Sequence, residues 1–487
     1  MPLRICFVSA EAAPLAKTGG LADVSGALTR YLHEAGHDIR LFMPLYDTIR
    51  RDGLGLAPVP SLQGVAVKLG PHDLTFSVQA GRLPGTTAPV YLVDAPALFA
   101  RGRIYTTDPD EHLRFILLTH AALVSCQHMQ FAPDVLHCND WHTGLGPLLL
   151  KTVYSWDRLF HATRSLLSIH NLAYQGVFSA SLAADTGLGD SVHMLDAGER
   201  TAGRINLLRE GLVHADTIST VSPTYAREIQ TPEYGYGLDA LLRQRAASIA
   251  GILNGVDMQE WNPAIDRYLP RHFSAGRMNG KAELRRQFAR ERGLKLPPRR
   301  RVPLVGMVSR FASQKGLDLV MKVLPSLLEK HEFVCGVLGS GDRQYEEFFQ
   351  VLARQYPQRV SFFRGYSEAE AHWIEAASDI FLMPSLYEPC GLNQMYSQIY
   401  GTIPVVRRTG GLADSVQHFD PATGRGTGVV FNDYDEGGLT WGVQTALAWY
   451  AKKPLWQKIV ANAMAEDFSW ERRVGEYVEL YRSIPRH

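Results

Sequence analysis

No stretch of the 487 residues holds about 18 consecutive apolar side chains, the length a membrane-spanning helix needs. The opening apolar run, Ile5 to Ala10, is cut off by Glu11 and is too short for the core of a secretion signal. Cysteine is sparse. Cys6, Cys126, Cys138, Cys335 and Cys390 stand apart, with no CxxC pair and an odd total, which disfavours a disulfide framework and makes a reducing cytoplasm the expected setting. Excess charge is missing too: Lys plus Arg number 50 against 49 Asp plus Glu, a formal charge of +1. That balance gives no bulk attraction for nucleic acid or an anionic membrane, so neither is an expected partner. Any anion must be gripped by a local cluster. Nothing in the composition sets an oligomeric state.

What the chain does have is alternation. Short β-rich runs at Leu3–Ser9, Ile39–Met43, Val90–Val93, Val135–Cys138, Ser165–His170 and Thr217–Val221 are separated by helical patterns. The helix after Gly20 shows the pattern well, with Leu21, Val24, Leu28, Tyr31 and Leu32 at helical spacing. The pattern breaks over 251–301, a Gly-, Pro- and Asn-containing stretch that ends in the basic run Pro297-Pro298-Arg299-Arg300-Arg301. A second series follows at Val302–Ser309, Phe333–Leu338, Val360–Arg364, Asp379–Pro384 and Ile403–Arg407. The fold class is α/β: two doubly wound, Rossmann-like domains joined near residue 255.

The hexapeptide Thr-Gly-Gly-Leu-Ala-Asp occurs at 18–23 and again at 409–414, preceded by Lys17 and Arg408. Each copy follows a strand and opens a helix, where backbone N–H groups and a neighbouring cation suit a phosphorylated ligand. Two glycine-rich turns with Asp23 and Asp414 at helix starts are the plainer alternative. The first βα turn, Ser9 to Lys17, lacks the glycines of a dinucleotide fingerprint, which disfavours a nicotinamide-dependent oxidoreductase. Gly336, Gly339 and Gly341 permit nucleotide contact without requiring it. Arg310 and Lys315 fall at the carboxyl edge of a sheet strand, where charge on a departing diphosphate could be stabilised.

Lys17–Asp23, His170–Gly176 (HNLAYQG), Asn254–Asp257 (NGVD), the Ser309–Leu319 stretch, Glu388–Gln394 (EPCGLNQ) and Arg407–Asp414 together closely resemble the glycogen and starch synthases, in that family's order and over nearly the whole chain. The resemblance implies the GT-B fold, two Rossmann-like domains facing across a deep cleft. Residues 1–254 would be the acceptor-side domain of starch synthase catalytic type and 255–487 the donor-side domain. A final helix at about 456–484 would cross back to the first. It implies transfer of glucose from ADP-glucose to the non-reducing end of an α-1,4-glucan, glycogen, with retention. An α-glucan phosphorylase-like enzyme with pyridoxal phosphate, and a non-catalytic glucan- or nucleotide-sugar-binding protein, are the alternatives.

Carried over by motif, Glu388, His170, Arg310 and Lys315 are the expected catalytic residues. Lys17, Gly19, Gly20, Asp23, Asn254, Cys390, Gly391, Leu392, Thr409, Gly410 and Gly411 are expected around the donor, with Gly410 and Gly411 offering backbone N–H groups to the diphosphate. Asp140, Asn171 and Tyr105 are expected near the sugar or acceptor, although Asp140 could instead cap the following helix. Trp141 is a possible stacking partner that could equally belong to the core. Eight positions after Glu388, where many retaining GT-B enzymes carry a second glutamate, stands Tyr396. Front-face displacement, with the leaving phosphate taking the acceptor proton, is therefore favoured over a covalent glucosyl-enzyme. No cofactor and no metal are expected. The DxD-like Asp108-Pro109-Asp110 and Asp433-Tyr434-Asp435 read as helix caps or polar loops, and His137, Cys138 and His142 lack a second ligand pair at zinc spacing.

Overall fold

The structure, a computed structural model, describes residues 1–297 and 300–485. Pro298 and Arg299 of the basic run lie outside the described residues. The chain forms two compact units, one of Met1–Ile252 together with the segment from Trp470 onward, the other of Leu253–Ser469.

The first unit is built on a ten-stranded sheet. Its strands are β1 (Arg4–Val8), β2 (Asp38–Pro44), β3 (Ala57–Pro58), β4 (Val65–Leu69), β5 (His72–Arg82), β6 (Pro89–Asp94), β7 (Val135–Asn139) and β8 (Arg164–Ile169). A separate pair, β9 (Val177–Ser179) and β10 (Arg204–Asn206), precedes the last two, β11 (Thr217–Thr220) and β12 (Ile249–Gly251). In the sheet the order β12-β11-β8-β7-β1-β2-β6 is parallel throughout, and β5 continues it antiparallel with β3 and β4. Strands covered on both faces read as continuous apolar runs, and Ile5 to Val8 are fully buried. The antiparallel extension, β3 to β5, was not legible as strands because its residues alternate between half-buried and exposed.

The second unit holds a six-stranded parallel sheet. In chain order its strands are β13 (Leu304–Phe311), β14 (Val334–Gly341), β15 (Val360–Arg364), β16 (Ile380–Met383), β17 (Ile403–Arg407) and β18 (Val429–Phe431). Their spatial order, β15-β14-β13-β16-β17-β18, is that of a dinucleotide-binding Rossmann sheet. In both units the strand order reverses beside the first strand, between β1 and β7 and between β13 and β16. Loops at the carboxyl ends of those strands form the crevice where open α/β sheets bind ligands.

The tail expected as one helix over 456–484 is two. Lys453–Ala463 belongs to the second unit, and Trp470–Ser483 packs in the first, where Tyr481 Oη meets His137 Nδ1 at 2.8 Å. That contact, with Ser168 Oγ 2.6 Å from Nε2, makes His137 a core residue. No described helix is long and apolar enough to cross a membrane.

Candidate active site

The second unit gathers three sequence segments at its switch point. β13 carries Arg310 near its end, and the loop after it, with Lys315, turns through Gly316, whose φ is +69° and whose Cβ would lie 2.0 Å from the Pro384 carbonyl oxygen. Only glycine lets that loop close against the segment after β16. The two are then stitched by Leu386 N–H donating to the Gln314 carbonyl at 2.8 Å and by Gln314 Nε2 donating to the Tyr387 carbonyl at 3.2 Å. Glu388 follows at 5% exposure. Its Oε2 accepts from Lys315 Nζ at 2.6 Å and from Ser385 Oγ at 3.0 Å, while Oε1 has no hydrogen bond among the described residues. One oxygen is held and one is open. Arg310, the last residue but one of β13, is exposed.

The third segment, the Thr409–Gly411 turn, differs from the expectation. The Gly411 N–H does not face outward for a phosphate; it donates to the Glu388 carbonyl at 3.0 Å and the Pro389 carbonyl at 3.2 Å. The reason is close approach of backbones. A Cβ at Gly410 (φ +42°) would lie 1.9 Å from the Glu388 carbonyl oxygen, and one at Gly411 2.1 Å from that of Cys390. Both glycines press the Thr409 turn onto the Glu388 loop and fix its course. Gly391 (φ +71°) turns the chain, and Gln394 Nε2 donates to the Cys390 and Gly391 carbonyls. Cys390 and Thr409 are buried, and Leu392 is half-buried. Tyr396 is stacked on Trp261, rings 3.7 Å apart and 4° from parallel. Asn254 is buried, with its side-chain oxygen unpartnered.

In the first unit the loops after β1, β7 and β8 converge. Asp140, just past β7, has φ +54°, a strained value for a residue with a side chain. It caps no helix. Its Oδ1 accepts the His170 N–H at 2.7 Å. Burial pushes its carboxyl up to about 7, against the lowering effect of the His170 and Asn171 backbone N–H groups, and nearby Glu11 adds to the rise. His170 sits one residue beyond β8. Asn139 Nδ2 donates to the Val8 carbonyl, which turns Asn139 Oδ1 toward His170 Nε2 at 2.9 Å. Nε2 is therefore the protonated nitrogen, and buried Nδ1 keeps an unpartnered lone pair. Burial lowers His170 to about 3, so the ring is neutral.

Glu11 is the residue that sequence reasoning passed over. It is 3% exposed and accepts from the Thr18 N–H (2.5 Å), from Thr18 Oγ1 (2.7 Å) and from the Tyr105 hydroxyl. Its only signal was its place in the first βα loop. Tyr105 also stacks on His142 at 5.0 Å. Trp141 packs on Phe115 and Phe178, and Gly176 is open to its ring, since a Cβ there would come within 2.3 Å of the indole. Asn171 turns its Oδ1 to the Ala173 N–H at 3.1 Å. Lys17 pairs with Asp23 at 2.7 Å and remains 41% exposed. Among the described residues no acceptor is found for the Gly19 and Gly20 N–H groups.

The DxD-like pairs also separate. Asp108 and Asp110 both bind Arg101, at 2.8 and 2.6 Å, and neither caps a helix, whereas Asp435 caps the helix Glu436–Ala451 through the Gly438 N–H at 2.7 Å.

Residues 4–244 match the family model described as the starch synthase catalytic domain, and 294–463 match that of glycosyl transferases group 1. The glycogen synthase of Anaeromyxobacter dehalogenans (strain 2CP-C) is 45% identical over 99% of this chain and 100% of its own. The chain belongs to the glycogen and starch synthase family of glycosyltransferases. Another member, the glycogen synthase of Thermotoga maritima, is 42% identical over 99% of this chain and 98% of its own. In structure, the catalytic domain of starch synthase IV from Arabidopsis thaliana, solved with ADP and acarbose bound, matches at TM-score 0.91 and 33% identity over all of both chains. The sucrose-phosphate synthase of Thermosynechococcus elongatus, at TM-score 0.60, 18% identity and 99% and 98% coverage, shares the GT-B fold.

Proposed function

We propose that this protein transfers glucose from ADP-glucose to the non-reducing end of an α-1,4-glucan, glycogen, with retention of anomeric configuration. The observation that carries the reading is the Glu388 carboxylate held by Lys315 at the β13/β16 switch point. Lys315 and Arg310 would take the donor's diphosphate, whose charge grows as the glycosidic bond breaks. Glu388 Oε1 would accept a glucose hydroxyl and face the positive charge developing at the anomeric carbon.

In the first unit, Asp140 and the open lone pair of His170 are acceptors suited to sugar hydroxyls, and Lys17 with the Gly19 and Gly20 N–H groups are donors suited to phosphate oxygens. With Tyr396 standing where a second glutamate would be, the Glu388 loop offers no second carboxylate as a nucleophile. Front-face displacement follows, with the leaving phosphate taking the acceptor hydroxyl's proton. No step in this scheme calls for a metal or a cofactor. The five buried thiols support a cytoplasmic setting.

Donor choice tests the reading. Glucose incorporation into glycogen is expected to show kcat/KM at least about tenfold higher with ADP-glucose than with UDP-glucose, roughly 1.4 kcal/mol of discrimination. Equal use of both, or the reverse preference, overturns the donor assignment.

A further inference from the structure

The edge of the second sheet carries a feature that the donor chemistry leaves unused. β18 ends at Phe431, and Asn432 to Asp435 lead into the helix Glu436–Ala451. Trp441 stands on that helix with 47% of its surface exposed. Helical side chains lean toward the N-terminus, over the residues three and four positions earlier. For Trp441 these are Gly438 and Gly437, so the indole overhangs a bare floor. Packing demands glycine at 438, where a Cβ would lie 2.4 Å from the Asp433 carbonyl oxygen. At 437 it does not: a Cβ there would meet only the Asp435 carboxylate, at 3.3 Å. Glycine weakens a helix, so the opening at 437 is a cost that packing does not explain.

The result is a hollow of about 300 Å³ lined by Phe431, Asn432, Asp433, Gly437, Gly438 and Trp441. Its platform is fixed. His418 stacks on the indole, ring centroids 5.6 Å apart and 24° from parallel, and its Nδ1 accepts the Val430 N–H at 3.1 Å. Asn432 Oδ1 accepts from Arg408 Nε at 2.9 Å, which orients the amide. The Asp433 carboxylate is exposed and makes no hydrogen bond or ion pair among the described residues.

An indole flanked by a carboxylate and an amide suits a neutral, polyhydroxylated ring, whose C–H face packs on the aromatic while its hydroxyls donate at the rim. A wholly apolar occupant would leave Asp433 without a donor. A phosphate placed against Asp433 would meet like charge.

We propose that this hollow is a second glucan-binding site, with Trp441 carrying a glucosyl ring and Asp433 and Asn432 meeting its hydroxyls. The choice of an α-1,4-glucan rests on the synthase reading above. A second contact would tether a long polymer and raise the local concentration of its chain ends, while a short acceptor would gain nothing.

The test uses the full chain, with Trp441→Ala, Asp433→Ala and Gly437→Gln compared to the parent. Gly437→Gln fills the floor while leaving the indole and its His418 contact in place. Retardation in native gels containing glycogen, without donor, is expected to weaken in all three variants. KM for glycogen should rise about five- to tenfold, with kcat and the KM for maltotriose unchanged. The melting midpoint of Gly437→Gln should equal or exceed the parent's, so a folding defect in Trp441→Ala does not decide the outcome. Parent-like retardation of Gly437→Gln overturns the site, as does an equal rise of KM for maltotriose and glycogen. A parent that glycogen does not retard also overturns it. A parent that is retarded through Trp441 yet extends no glucan leaves the site standing and removes the synthase reading.

Discussion

Lys315 Nζ lies 2.6 Å from Glu388 Oε2, with the two side chains 18% and 6% exposed. Neither charge is easily left alone at that depth, so removing one strands the other. Lys315→Met is expected to lower kcat by about 10²–10³ and to destabilise the protein by about 1–3 kcal/mol. The double variant Lys315→Met/Glu388→Gln should regain most of that stability and none of the activity, as read by urea unfolding and initial rates. Turnover restored in the double variant would reduce the pair to scaffolding.

Asp140 sets a pH dependence. Burial pushes its carboxyl up to about 7 from the ordinary aspartate value of 3.8, so the folded protein holds that proton more tightly than the unfolded chain. The associated stability is full below about pH 4 and is lost as pH rises through about 7. Asp140→Asn should therefore gain on the parent in melting midpoint as pH climbs across that window. A difference that stays constant with pH contradicts the assignment. The rate profile should lose any limb near neutrality in Asp140→Asn, and His170, lowered to about 3, should supply none.

The two Thr-Gly-Gly-Leu-Ala-Asp copies should respond differently to the same change. Gly410→Ala puts a Cβ 1.9 Å from the Glu388 carbonyl oxygen at a positive φ, and should cost more than about 2 kcal/mol of stability. At Gly20 a Cβ meets nothing within 4 Å, and alanine suits a helix better. Gly20→Ala should keep or raise the melting midpoint while lowering turnover, because the methyl group would stand where a phosphate approaches. An active, stable Gly20→Ala enzyme would remove that turn from the donor site.

Metal dependence is checked with a chelator. Asp108 and Asp110 are committed to Arg101, and Asp435 to a helix cap. Dialysis against EDTA is expected to leave the initial rate unchanged. Loss of turnover that Mg²⁺ or Mn²⁺ restores would contradict the metal-free scheme.

Much of this was legible from the chain because parallel strands buried on both faces announce themselves as apolar runs. Val360–Arg364 and Ile403–Arg407 fall where the sequence placed them. The antiparallel β3–β5 extension lacks that signature and was invisible. At the site, motif position located Lys315, Glu388 and His170, but hydrogen-bond direction was out of reach. Gly411 spends its N–H on the Glu388 loop because two backbones must touch, which is a tertiary fact. Asp140 looked as much like a cap as a ligand until its φ of +54° and its bond to the His170 N–H removed the cap. Glu11 carried no motif at all; only the arrival of Tyr105, from 94 residues away, reveals it.

The proposed reaction is a retaining glucosyl transfer onto an existing chain. The most direct measurement is proton NMR of the first products formed from maltoheptaose and ADP-glucose in phosphate-free buffer. The expected product is maltooctaose with a new α-1,4 linkage at the non-reducing end and one ADP released per bond. A β-linked product, or no chain growth without added phosphate, would contradict it.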